Sequence, residues 1–154
     1  MIRSLKAVTV IIISGVYLQL SSCLDISCID ETEAFVKASF YSYSTGQPAI
    51  PDSLSLSGID KDSLIYDKEK LTPPALIPLN DSTDNSVLIV KINGITDTIE
   101  FLYWSYPHLV SKECGYSMFH TVDTVLHTSH SIDSISIKNE NITTSNVENI
   151  SIYY

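Results

Sequence analysis

The chain of 154 residues carries 18 acidic against 9 basic side chains, a formal net charge of −9 at pH 7, and 44% of its residues are hydrophobic. An acidic surface repels phosphate backbones, which argues against nucleic acid as a partner. The length allows one domain with a core of its own and is too short for two such domains.

The first 22 residues have the pattern of an export signal. Arg3 and Lys6 make the start basic, and an apolar run of 14 residues follows from Ala7 to Leu20. That length fits the hydrophobic region of a signal peptide, about 7–15 residues, and falls short of the about 20 residues that a membrane-spanning helix needs. Residues 1–22 are therefore predicted to be a lipoprotein signal peptide that forms a helix.

Cys23 follows two small residues, Ser21 and Ser22. This stretch resembles the lipobox of bacterial lipoproteins, in which the cysteine sulfur receives a diacylglyceryl group and becomes the first mature residue. Each buried CH₂ contributes about 0.8 kcal/mol, so several acyl chains such as palmitate hold a protein firmly to a bilayer. Two alternatives stay open: an uncleaved membrane anchor over residues 7–24, and ordinary secretory cleavage that leaves Cys23 free for a disulfide.

Removal of residues 1–22 leaves 132 residues and changes the charge balance. The two charged residues removed are both basic, so 7 Lys and Arg residues remain with 18 Asp and Glu residues, and the net charge is near −11. Membrane attachment must then come from the lipid and not from a basic patch. In an oxidising compartment the two other cysteines, Cys28 and Cys114, form an even pair. A bridge between them would stabilise the fold by about 4–5 kcal/mol through loop closure; two buried thiols that never meet are the alternative.

The mature chain shows short strand patterns between turn signals. Residues 23–33 form an acidic tether without periodicity, and Val36, Ala38 and Phe40 then alternate with polar neighbours as in a half-buried strand. Asn93-Gly94 is a strong two-residue hairpin signal. The predicted strands are Ala34–Tyr43, Ser53–Ile59, Ser63–Tyr66, Ala75–Leu79, Val87–Ile92, Asp97–Tyr106, Tyr116–Val125, a strand carrying Ile135 and Ile137, and Asn149–Tyr154.

No window after residue 22 longer than a few residues has the 3.6-residue period of a helix. Eight or nine short strands at regular spacing predict a single antiparallel β-sandwich, immunoglobulin-like, over residues 34–154.

Several segments together resemble a known group of proteins. They are the lipobox with Cys23, Cys28 five residues on, the segment LYWSYPHLVSKECGY, the hairpin NGITDTIEF and the final NVENISIYY. The chain is similar to an uncharacterised family of small Bacteroidota-type lipoproteins with a CGY motif and a terminal IYY strand. The resemblance spans Cys23 to Tyr154 and implies an outer-membrane or periplasmic lipoprotein, with no activity to carry over.

The sequence lacks the usual catalytic motifs. There is no Gly-x-Ser-x-Gly elbow, phosphate-binding glycine loop or His-Glu-x-x-His helix. His127 and His130 lie three apart in a predicted loop, which does not by itself direct two imidazoles to one metal ion. Cys114 and His120 could act as a thiol nucleophile and its base, but the bridge is the better use of Cys114. No catalytic residue, metal site or cofactor is predicted.

Two weaker binding patterns remain. Asp60, Asp62 and Asp67 surround one connection, and Asp81 and Asp84 another, but neither has the spacing of a calcium loop, so solvated turns are favoured. In a later strand, Tyr103 and Trp104 face opposite sides and Tyr106 follows, so one side is core. The other side could be a platform on which a sugar stacks.

An Asp-Ser/Thr triplet recurs along the chain. It resembles the acceptor motif of O-glycosylation in Bacteroidota, although an Asp-Ser turn leading into a strand gives the same pattern. The candidate acceptors are Ser53, Ser63, Ser82, Thr98, Thr124 and Ser134.

The sequence therefore predicts a lipid-anchored cell-envelope protein, attached to the outer membrane on its periplasmic or surface face, with a non-catalytic binding or structural role. The partners expected are the membrane and an envelope protein. Two alternatives are an accessory subunit of an outer-membrane complex and a small envelope hydrolase or metal-dependent enzyme.

Overall fold

The computed structural model describes residues 27–59, 61 and 63–154. Within these residues ten strands form two packed sheets, so the all-β sandwich is confirmed with ten strands in place of eight or nine. The signal peptide, Cys23, the start of the tether, Asp60 and Asp62 lie outside the described residues. No helix in the described part of the chain is long and apolar enough to cross a membrane.

The smaller sheet has four strands. Its order is β4 (Ala75–Pro78), β1 (Phe35–Tyr41), β10 (Ile150–Tyr153) and β8 (Ser134–Ile137). The central pair, β1 and β10, runs parallel, with Ala38 opposite Ile150 and Phe40 opposite Ile152. The first and last strands of the fold are thus neighbours in the middle of this sheet.

The larger sheet has six strands and is antiparallel throughout. Its order is β3 (Leu64–Glu69), β2 (Leu54–Gly58), β5 (Asn85–Ile92), β6 (Ile95–Ser111), β7 (Gly115–His127) and β9 (Asn141–Ile142). The two-residue strand β9 was not predicted because two residues carry no readable alternation.

The core lies between the two sheets and follows the alternation of the sequence. Val36, Ala38 and Phe40 all point inward, as predicted. Their burial removes apolar surface worth about 25 cal/mol per Å² from water. The larger sheet contributes most of the other buried side chains: Leu54, Leu56, Leu88, Val90, Ile92, Ile99, Phe101, Tyr103 and Val122.

The Asn93-Gly94 hairpin is confirmed. Ile92 lies opposite Ile95, and Asn93 and Gly94 both have positive φ angles, 50° and 91°. Positive φ at both central positions is what a two-residue turn between twisted strands requires, and Asn-Gly is the pair that tolerates it best.

Strand β6 continues beyond its predicted end at Tyr106. It runs through Pro107 to Ser111, with Pro107 opposite Met118 of β7. Strand β5 ends where Asn85 lies opposite Leu102, so Pro107 has a neighbouring strand on one side only. A proline is tolerated at such an edge because no second ladder needs its missing N–H.

The far ends of β6 and β7 therefore form a two-stranded arm, residues 106–111 and 115–119. Strand β9 reaches β7 only at His120 and Thr121, and no other described strand pairs with the arm. Two-stranded ribbons are marginally stable in water, so the arm depends on additional contacts.

Candidate functional site

The tip of the arm is joined to the N-terminal segment. The Cα atoms of Cys28 and Cys114 are 4.7 Å apart, so the predicted pair is at disulfide distance. Nearby, the Ser117 hydroxyl donates a hydrogen bond to the carbonyl of Thr32. The second half of the predicted tether is thus held against the arm.

An aromatic cluster covers the outer side of β6 and β7. The Trp104 side chain is 56% exposed, and its ring centroid is 4.9 Å from that of Tyr106. The His108 ring stacks on the buried Phe119 at 4.4 Å with an interplanar angle of 15°. Tyr103, one residue before Trp104, is only 4% exposed, so the predicted division of this strand into a core side and an outer side is confirmed.

A shallow depression of about 510 Å³ lies beside Trp104. Three of its other lining residues offer hydrogen-bonding groups, the carboxylates of Asp84 and Asp123 and the amide of Asn85. The floor is fixed, because the Tyr103 backbone N–H donates to the Asp84 carbonyl at 2.9 Å. An exposed indole next to carboxylates and an amide can stack on one face of a ligand and bind its polar edge.

A second polar group consists of Ser105, His120 and Asp81. The Ser105 Oγ lies 2.8 Å from His120 Nδ1, and His120 Nε2 lies 3.4 Å from the Asp81 carboxylate. Burial lowers the pKa of the 1% exposed His120 below its ordinary 6.5, with Asp81 opposing this effect, so the ring is neutral at pH 7.

This group was missed from the sequence. The sequence predicts that β6 ends at Tyr106, whereas the structure turns between Ser111 and Gly115. The register that places Ser105 opposite His120 depends on the position of this turn, so it could not be derived from the predicted end. The pair that the sequence suggested, Cys114 and His120, is not brought together. The sulfur of Cys114 is beside that of Cys28, while the His120 ring contacts Ser105 and Asp81.

The two remaining histidines lie at the end of β7 and in the connection that follows it, and each makes a hydrogen-bond contact through Nδ1. His127 Nδ1 is 2.9 Å from the Thr128 carbonyl oxygen, and His130 Nδ1 is 2.9 Å from the Asp97 carboxylate. Across the residues that the structure describes, no group of three or more His, Cys, Asp or Glu side chains is arranged to hold a metal ion. Of the acidic loops considered for calcium, Asp67, Asp81 and Asp84 are exposed.

Asp97 is the centre of a buried network that the sequence did not indicate. The side chain is 2% exposed and points inward from β6. Burial alone would raise the pKa of Asp97, but hydrogen bonds outweigh it and hold the pKa well below its ordinary 3.8. The donors are the hydroxyl of Thr128 and the backbone N–H groups of His130, Ser131 and Ile132.

The six candidate glycan acceptors differ in exposure. Ser63 and Ser82 are exposed, whereas Ser53, Thr98, Thr124 and Ser134 are partly buried. Thr98 and Thr124 lie inside β6 and β7, and the Asp97 that precedes Thr98 belongs to the buried network. Ser63 and Ser82 are therefore the most accessible of the six positions in the folded domain.

Comparison with known proteins places the chain in a family. No curated protein and no solved structure matches it. Residues 53–154, which contain every strand from β2 to β10, match the family described as Family of unknown function (DUF6452). This match covers well over half of the 154 residues, and the chain belongs to that family of unknown function.

Proposed function

We propose that this chain is a non-catalytic binding module of a bacterial cell envelope, exported and attached to the outer membrane through acyl chains on Cys23. The observation that carries the proposal is the close approach of Cys28 to Cys114. Disulfides persist in oxidising compartments outside the cytosol. The pair also fixes the chain to the domain five residues after Cys23, which leaves a short link between the domain and its anchor.

The binding surface of the module is the outer face around Trp104. Tyr106 packs against the indole and limits its movement before any ligand arrives, which reduces the entropy cost of binding. Asp84, Asn85 and Asp123 place hydrogen-bonding groups beside the exposed ring. A sugar ring fits this chemistry, because its C–H face stacks on an indole and its hydroxyls bind carboxylate and amide oxygens. The ligand class proposed is an envelope glycan.

Acylation is tested by growing cells with a labelled fatty acid and measuring the mass of the purified protein. The proposal requires label on the wild-type protein, none on Cys23→Ala, and unchanged labelling of Cys28→Ser. Label that persists in Cys23→Ala would overturn the anchor.

Glycan binding is tested with the purified acylated protein in detergent on an array of bacterial and plant oligosaccharides. Trp104→Ala is expected to abolish binding. Leu126→Ala serves as the control, since Leu126 is 50% exposed on β7 and is not among the residues that line the depression. If a crosslinker at position 104 recovers one stoichiometric envelope protein and no glycan binds, the chain is an accessory subunit instead.

The Ser105–His120–Asp81 group favours a second candidate function, that of a small envelope hydrolase. A neutral imidazole 2.8 Å from a serine hydroxyl can accept its proton while a carboxylate holds the other ring nitrogen. A fluorophosphonate probe tests this directly. Attack by the Ser105 Oγ would form an O–P bond, expel fluoride and pass the proton to His120. Labelling lost in Ser105→Ala would support the hydrolase, and an unlabelled wild-type protein would reject it.

A further inference from the structure

Three large apolar side chains are exposed at the tip of the arm. Tyr116 is 72% exposed, Leu109 is 48% exposed and Ile29 is 91% exposed. Leu109 lies directly opposite Tyr116 across the two strands, so the two side chains project from the same face of the arm. Ile29 follows Cys28, whose Cα is 4.7 Å from that of Cys114, two residues before Tyr116.

The same tip lies close to the proposed anchor. Cys28 is five residue steps after Cys23, and an extended chain of five steps spans at most about 18 Å. The hydrocarbon core of a bilayer is about 30 Å thick and is flanked by polar interfacial layers. A domain attached at Cys23 therefore carries the tip of its arm within reach of the headgroup layer.

We propose that the tip of the arm rests on the bilayer, with Leu109, Tyr116 and Ile29 in its interfacial layer, as a second membrane contact beside the acyl chains. This inference rests on the proposed acylation of Cys23. Tyrosine suits the interface because its ring is apolar and its hydroxyl remains hydrated. The contact orients the domain, so that Trp104, farther along β6, lies above the membrane surface.

The charges at the tip of the arm decide which lipid headgroups it can approach. Glu113 and Lys112 lie in the turn, and the Asp30 carboxylate lies 3.9 Å from the Cys114 sulfur. This balance is acidic, so the tip is repelled by anionic headgroups within a Debye length, about 8 Å at physiological salt. We therefore infer a zwitterionic lipid surface as the partner of the tip.

The test uses a fluorescent reporter in the acylated protein, reconstituted into phosphatidylcholine vesicles. Trp104 is the chain's one tryptophan, so Trp104→Phe gives a background without indole emission. Tyr116→Trp then places a reporter at the tip. Ile95→Trp places a matched reporter at the other end of β6, where the native side chain is 50% exposed. Leu109, the residue opposite Tyr116, is 14 residue steps along β6 from Ile95, about 46 Å at about 3.3 Å per residue.

Lipids brominated in their acyl chains are expected to quench the reporter at position 116 and shift its emission to shorter wavelength, while the reporter at position 95 keeps its emission. Addition of anionic phosphatidylglycerol is expected to weaken the quenching. Vesicle-bound, acylated protein whose reporter at 116 is not quenched would overturn the membrane contact and leave the anchor intact. Protein that never acquires acyl chains would instead reject the proposed function, so the two failures are distinguishable.

A further outcome concerns a protein partner at the same place. If the reporter at 116 is shielded from acrylamide in native envelopes but is unaffected by brominated lipid in vesicles, a protein covers the tip and the lipid proposal is wrong.

Discussion

The carboxylate of Asp97 accepts the backbone N–H of Ser131 at 2.7 Å, and this contact joins the larger sheet to the connection that leads to the smaller sheet. Asp97 belongs to β6 of the larger sheet, while Ser131 lies in the connection that carries the chain from β7 to β8 of the smaller sheet. The same carboxylate accepts the N–H of Ile132 at 3.0 Å, and the Ile132 side chain is buried in the core. One side chain therefore fixes the path by which the chain changes sheets.

Asp97→Asn is expected to destabilise the domain by about 2–4 kcal/mol, because an amide group would face the N–H donors that the carboxylate now satisfies. The measurement is the free energy of unfolding in urea. Asp123→Asn is the matched control, since Asp123 is exposed on β7 and its loss should change stability by no more than about 0.5 kcal/mol. Equal stability of the two variants would show that the network contributes nothing.

The same carboxylate predicts how stability depends on pH. The pKa of Asp97 is held below its ordinary 3.8 in the folded protein. The contribution of the Asp97 carboxylate to the free energy of unfolding is therefore complete above about pH 4. This contribution is lost as the pH falls toward the pKa of Asp97 in the folded state. Unfolding followed between pH 5 and pH 2 should show a steeper loss of stability for the wild type than for Asp97→Asn. Parallel curves for the two proteins would contradict the assignment.

Asn149 is expected to be structurally essential. The residue is 2% exposed, accepts the Lys37 backbone N–H at 2.9 Å, and donates from Nδ2 to the carbonyls of Asn139 and Asn141 at 3.1 Å each. Asn149→Asp would place a carboxylate oxygen against these carbonyl oxygens and cost about 2–3 kcal/mol, measured by urea unfolding. The exposed Asn141→Asp is the control, and a similar loss in both variants would contradict the prediction.

Reduction of the Cys28–Cys114 bond is expected to loosen the arm before the sandwich. Among the described residues no third strand pairs with the arm, whereas the core lies between two sheets. Amide hydrogen exchange should accelerate at residues 106–119 on addition of a reductant and remain slow in β1 and β10. Global stability should fall by up to about 4–5 kcal/mol, the loop-closure value for this spacing. Unchanged exchange in the arm would mean that the bond does not support it.

The sandwich could be predicted because its determinants are local. The alternation around Val36 and Phe40 and the Asn93-Gly94 turn act within a few residues, and each appears in the structure where the sequence indicated it. The predicted end of β6 before Pro107 was wrong. Proline usually ends a strand, but here it lies at an edge, and which strands neighbour an edge is decided by the whole sheet and not by the local sequence.

The polar contacts could not be predicted, because they join residues that are far apart in the sequence. Asp97 and Ser131 are 34 residues apart, and the pairing of Ser105 with His120 depends on where the arm turns. The sequence shows an Asp-Thr-Ile triplet at Asp97 that is equivalent to the five other triplets, and nothing local marks it as buried. The division of the strand between Tyr103 on the core side and Trp104 on the outer side was predicted, because successive side chains of a strand alternate between its two sides.

The parallel pairing of β1 with β10 has a consequence for how the protein is made. The inner edge of β1 has no partner until residues 150–153 have been synthesised, so the smaller sheet cannot form completely on a shorter chain. Such distant pairing slows folding, because the ends of a long loop have to meet before the two strands can pair. The smaller sheet is therefore completed only after its last strand, β10, has been synthesised.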